Sequence, residues 1–191
     1  MKLKFLALGV GLCLAVGAQA DILFNNFGAG DSYDTTTGWV IDDVQSLAQP
    51  FSVVGNYTLS SVTVALGTTD QADYQVSVAV GGATAPGATL VSWNAIAGLG
   101  ATTFTPGGTV NLSTGDYYIV LNNLNNTSGA WGWNNTGSSG NFSFTNPANT
   151  WNATSGTLGA MRVEAAPVPE PASLLALGGL VSLALRRRKR A

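Results

Sequence analysis

Val76, Val78 and Val80 alternate with Gln75, Ser77 and Ala79 until Gly81-Gly82 ends the run. A strand sends successive side chains to opposite faces, so this alternation predicts a half-buried strand rather than a helix. Val62, Val64 and Leu66 repeat the pattern and stop at Gly67, whereas Tyr57 and Leu59 fall on the opposite phase. If both sets face one core, a bulge or bend is required near Ser60-Ser61. The 117–121 run is apolar on both faces and reads as a central strand, opened by the turn Ser113-Thr114-Gly115-Asp116. Further strands are expected near 22–27, 38–41, 49–53, 89–93, 109–112, 131–134 and 159–163. No long stretch of this region shows the 3.6-residue apolar period. About ten short strands bounded by Gly, Asn, Thr and Pro predict an all-β domain, an antiparallel β-sandwich of jelly-roll-like form. The 122–157 stretch is rich in Asn, Gly, Ser and Thr and is expected to carry the long loops.

The two ends have a different character. Lys2 and Lys4 precede an apolar run over 5–16, and Ala18-Gln19-Ala20 offers the small-x-small site of a signal peptidase. Residues 1–20 therefore read as a secretory signal helix for the Sec machinery, with the mature chain starting at Asp21. A retained N-terminal membrane helix fits less well, because the apolar run is short and ends in a cleavage motif. Cys13, the only cysteine, lies inside that run rather than at a lipoprotein cleavage position.

At the other end, Pro169-Glu170-Pro171 precedes an uncharged 172–185 segment with six leucines, then Arg186, Arg187, Arg188, Lys189 and Arg190. Fourteen helical residues extend about 21 Å against about 30 Å of hydrocarbon, so this short transmembrane helix inserts marginally. The basic cluster stays cytoplasmic and leaves the preceding domain outside. Two prolines hold the segment before the span extended, in a form that a processing enzyme can grip. On physics alone, a plain single-pass anchor and a processing signal fit equally.

The order Val-Pro-Glu-Pro-Ala-Ser over 168–173, short Leu-rich span and basic terminus resembles the PEP-CTERM sorting signal of Gram-negative bacteria. That resemblance, covering 167–191, implies recognition of Pro169, Glu170 and Pro171 by exosortase, a membrane-embedded cysteine protease in that family. It implies an inner-membrane intermediate with its core outside the cytoplasm, then delivery to the cell surface or extracellular matrix. The scissile bond is not fixed by the motif.

Between the two ends, the 21–166 domain carries nine acidic side chains against one base, Arg162, a net of eight negative charges. Nucleic-acid binding requires basic patches that displace counterions, so that partner class is excluded. The domain contains no His, Cys or Lys. The serine of Gly30-Asp31-Ser32, which has the look of an esterase nucleophile block, consequently has no base to activate it. A structural turn explains it better. No cofactor is implied, and metal sites built from His or Cys are unavailable. Calcium takes oxygen ligands, yet none of the aspartates has the spacing of a calcium loop. A glycosidase can run on two carboxylates, for which Asp42, Asp43, Asp70, Asp73 and Asp116 are the available set.

Trp131, Trp133 and Trp151, with Asn134 nearby, are the candidate glycan contacts, since aromatic stacking and amide hydrogen bonds suit sugars. In a strand Trp131 and Trp133 share one face, and burial as core fillers is the competing reading.

The ordered motifs Asn25-Asn26-Phe27-Gly28-Ala29-Gly30-Asp31-Ser32-Tyr33, Ala48-Gln49-Pro50-Phe51, Tyr57-Thr58-Leu59, Pro86-Gly87 before Leu90-Val91-Ser92-Trp93, Trp131-Gly132-Trp133-Asn134 and Gly159-Ala160-Met161-Arg162-Val163 resemble the choice-of-anchor R domain. That resemblance implies an exported structural or binding module without catalytic residues. The expected function is a non-enzymatic surface or matrix protein, associated with extracellular polysaccharide or biofilm. A carbohydrate-binding module and a carboxylate glycosidase are the alternatives.

Overall fold

The computed structural model describes residues 19–68, 73–82, 84–96, 100–124, 128–145 and 150–169. The strands in chain order are β1 (Asp21–Asn25), β2 (Gly38–Ile41), β3 (Leu47–Val53), β4 (Tyr57–Thr68), β5 (Asp73–Gly81), β6 (Pro86–Ile96) and β7 (Gly100–Phe104). They continue as β8 (Asn111–Leu112), β9 (Gly115–Asn123), β10 (Gly129–Gly132), β11 (Ser139–Thr145), β12 (Trp151–Thr157) and β13 (Met161–Pro167). The first sheet runs β1-β13-β4-β10-β2, with β7 and β8 also paired to β4; the second runs β12-β11-β3-β9-β5-β6. Neighbouring strands are antiparallel, and one apolar core joins the sheets.

The period-two reading holds in detail. Val62, Val64 and Leu66 of β4 meet Val76 and Val78 of β5 in that core, all at 1% exposure or less. The phase change upstream is resolved as expected: Glu164 pairs with Ser61 but Ala165 with Leu59, so Ser60 is an extra residue. This bulge lets both Leu59 and Val62 point inward. The both-sided apolar run becomes β9, whose Tyr117, Ile119 and Leu121 enter the main core. Tyr118 and Val120 pack with Ala48 and Ala79 in a separate cluster.

One expectation needs correction, and one strand has no signal in the sequence. The polar 122–157 stretch contains β10, β11 and β12 rather than mainly loops. Full-length pairing with each other holds β11 and β12, while only Ser143 and Phe144 of β11 pair with β3. A few inward aromatics, such as Phe142, suffice to seat this polar hairpin. The strand β7 lacks an apolar alternation, since its side chains are mostly Ala and Thr before Phe104.

The expected span over 172–185 lies outside the described residues, as does the signal segment except Gln19 and Ala20. Among the described residues no helix is long and apolar enough to cross a membrane. The helical piece seen there is a 3₁₀ turn, Ala29–Asp31.

Candidate functional site

The sorting segment leaves the fold from β13. Pro167 is its last paired residue, opposite Tyr57, and the Val168 amide then donates to Asn56 O at 2.9 Å. Pro169 is exposed; Glu170, Pro171 and the basic cluster Arg186, Arg187, Arg188, Lys189 and Arg190 lie outside the described residues. At the N-terminus, Ala20 is exposed and Ala18 lies outside the described residues. Asp21, the next residue, pairs with Ala165. Antiparallel pairing of β1 with β13 thus sets Asp21 and the exit of the sorting segment at one end of the first sheet, an arrangement that spacing in the sequence does not reveal.

The glycan platform is not assembled. Trp131 is 2% exposed, sits in the core and donates from Nε1 to Ala160 O at 3.0 Å. Gly159 makes room for it, because a Cβ there would come within 2.6 Å of the indole. Trp133 is half-buried against Trp39, with ring centroids 5.4 Å apart, and Trp39 packs on Phe142 at 4.8 Å. These rings close a seam between the sheets, which Trp39 Nε1 reinforces by donating to Thr157 O at 2.7 Å. Asn134 is also buried. Its amide donates to Ser138 O and Leu158 O, and its oxygen accepts from the amides of Thr136 and Ser138. The buried side chain organises its own loop. Trp151 stands apart, half-buried against the Ala48, Ala79, Tyr118 and Val120 cluster of the second sheet.

Beside that cluster lies an open cleft of about 270 Å³ lined by Thr84, Asp116, Tyr118, Asn141 and Ser143. A larger cleft of about 510 Å³ lies on the first sheet, walled by the 33–37 loop and floored by Gly38, Gly67, Gly129 and Gly132. Asp34 in that wall is spoken for. The hydroxyls of Thr37 and Thr36, followed by their amides, hold its carboxyl well below the usual carboxylate range. It is therefore an ionised loop brace, unsuited to proton donation.

Arg162 was not singled out as a site residue by the sequence, and it is the hub of the charged residues. Its guanidinium ion-pairs with Asp31, while Nε lies 3.0 Å from Glu164 Oε1. Ser61 Oγ donates to Glu164 Oε2 at 2.9 Å. Gly30 and Asp31 both adopt positive φ, 66° and 58°, so the Gly-Asp-Ser block is a tight turn clamped by Arg162. Ser32 Oγ accepts from Asn135 Nδ2 at 3.0 Å. Among the described residues, no group of three or more His, Cys, Asp or Glu side chains is placed to hold a metal.

No curated protein matches the chain. A protein-family profile described as the PEP-CTERM protein-sorting motif matches residues 167–190, beginning at the last residue of β13. That match supports an exported protein that is transiently at the membrane, is processed by exosortase and then resides at the cell surface.

Proposed function

We propose that the chain is a non-enzymatic surface protein of a Gram-negative bacterium, displayed among exopolysaccharide in the extracellular matrix or biofilm. In this reading Sec and signal peptidase process residues 1–20, and a short helix over 172–185 holds the protein in the inner membrane until exosortase acts. The 21–166 unit is then the displayed module, a jelly-roll-like domain of the choice-of-anchor R kind. The observation that carries the reading is the coincidence of the sorting match with the end of the final strand: it begins at Pro167, with Pro169 exposed beyond. The missing His, Cys and Lys, and the engagement of Asp31 and Glu164 by Arg162, support a non-catalytic role. Deleting 169–191 should release the protein from the surface into the medium. Unchanged surface retention and an unchanged processing pattern would overturn the sorting role. Purified 21–166 should liberate no reducing sugar from matrix polysaccharide; reproducible release would reinstate a glycosidase.

Carbohydrate binding is the second reading. It is favoured by the cleft of the second sheet, where Asn141 and Asp116 stand beside Tyr118 and the adjoining cluster takes in Trp151. Pull-down of the 21–166 domain on matrix polysaccharide, with Trp151→Ala as control, tests it. Binding undiminished by that substitution removes Trp151 from the contact.

A further inference from the structure

Three sets of observations concern one end of the sandwich. The first is the register already described: Asp21 lies opposite Ala165, and Val168 is bonded to Asn56. Both chain ends therefore depart from the same end. The second is tether length. Only Glu170 and Pro171 separate Pro169 from the apolar 172–185 run, and four residues separate Asp21 from Val16, the last residue of the N-terminal run. Fully extended, these connections reach at most about 11 Å and about 18 Å. Neither allows this end of the domain to swing far from a bilayer that holds the apolar segments.

The third is the surface at that end. Val53 of β3 pairs with Gly115 of β9, which brings the 54–56 and 113–114 turns together, and Gly55 N donates to Thr114 Oγ1 at 2.8 Å. Gly55 takes a positive φ of 110°, and the Val54 beside it is 82% exposed. Val168 adds a second exposed apolar side chain. Of the acidic residues at this end, Asp116 accepts a hydrogen bond from Ser52 Oγ at 2.6 Å, and Asp21 starts β1. The opposite end is more acidic. Asp42 and Asp43 follow β2 there, and Asp73 opens β5. An anionic membrane surface repels that end and tolerates the other.

We propose that the end bearing Val54, Val168 and Asp21 is a lipid-facing surface, seated on the phospholipid headgroups while the sorting tail is attached, with the acidic end directed away. This rests on the reading of 172–185 as a membrane anchor. In that posture Pro169 lies in the narrow gap between domain and bilayer, where a membrane-embedded protease reaches the sorting motif without the domain unfolding.

The test uses the full chain with Cys13→Ser and one new cysteine, Val54→Cys or Leu124→Cys, each carrying a bimane label. Both positions are exposed, and Leu124 lies beyond β9 at the acidic end. The proteins are reconstituted into phosphatidylethanolamine–phosphatidylglycerol vesicles containing a headgroup-nitroxide lipid. Flotation with the vesicles and several-fold stronger quenching at position 54 than at 124 is the expected result. Flotation with equal quenching, or with stronger quenching at 124, overturns the lipid-facing surface and leaves the anchor intact. Failure to float overturns both.

Discussion

The Tyr74 hydroxyl belongs to β5 in the second sheet, yet its hydrogen bonds are to the first. It donates to Gly67 O of β4 and accepts from the Ala130 amide of β10 at 2.8 Å. Gly129 is required beside it, since a Cβ there would overlap the phenol. Burial pushes the Tyr74 pKa up from 10.0 to about 12, with the Ala130 amide opposing the shift. The neutral phenol is thus the folded-state form. Its contribution to stability is complete below about pH 10 and is lost as pH rises through about 12. Tyr74→Phe should cost about 1–3 kcal/mol at neutral pH, because the Ala130 amide loses its partner. The stability difference between wild type and variant should shrink between pH 10 and 12 in urea titrations; a constant difference would refute the linkage. Arg162 offers a second residue-scale test. Arg162→Ala leaves Asp31 and Glu164 without their shared cation, one of them in a left-handed turn. The pairs are only partly exposed, so a loss of about 2 kcal/mol is expected by chemical denaturation, with partial recovery in Arg162→Lys.

At the scale of elements, β1 is the edge that covers β13. Removing 21–25 should expose the β13 ladder and strip Leu23 and Phe24 from the core. Concentration-dependent self-association in light scattering is expected, whereas a monomer of unchanged stability would show the strand to be dispensable. The strands of strong valine alternation were legible in sequence because their burial is carried by local pattern, and the Ser60 bulge followed from two conflicting phases. The β11–β12 hairpin was not legible, because backbone pairing holds it while Asn, Ser and Thr dominate its side chains. For the tryptophans, parity placed Trp131 and Trp133 on one face, but only the opposing sheet determines that this face is inward. Arg162 and Asp31 lie 131 positions apart and meet only when the first and last strands pair. The same closure brings Asn26 to the β13 backbone, where it accepts from the Met161 amide at 2.7 Å and donates to Gly159 O at 2.9 Å. These two contacts join the opening and closing motifs of the domain, which sequence shows only as separate fragments.

At the scale of the whole molecule, charge and topology act together. The domain keeps eight net negative charges apart from the basic residues of its two terminal segments, so its character changes once those segments are removed. Net charge of that size favours solubility and discourages association with an acidic surface. The processed domain should therefore bind anionic vesicles more weakly than the full chain, measurably by co-sedimentation; equal binding would mean that the domain itself holds the membrane. The pairing of β1 with β13 has another consequence. The backbone is nearly a closed circuit, and the position of its break is arbitrary with respect to packing. A circular permutant joining Pro167 to Asp21 through a short Gly-Ser linker, and opened between Asp43 and Val44, should refold to the same sandwich. Grafting the 168–191 tail onto its new C-terminus would present the opposite end of the same domain to the bilayer, separating the polarity of display from the architecture of the module.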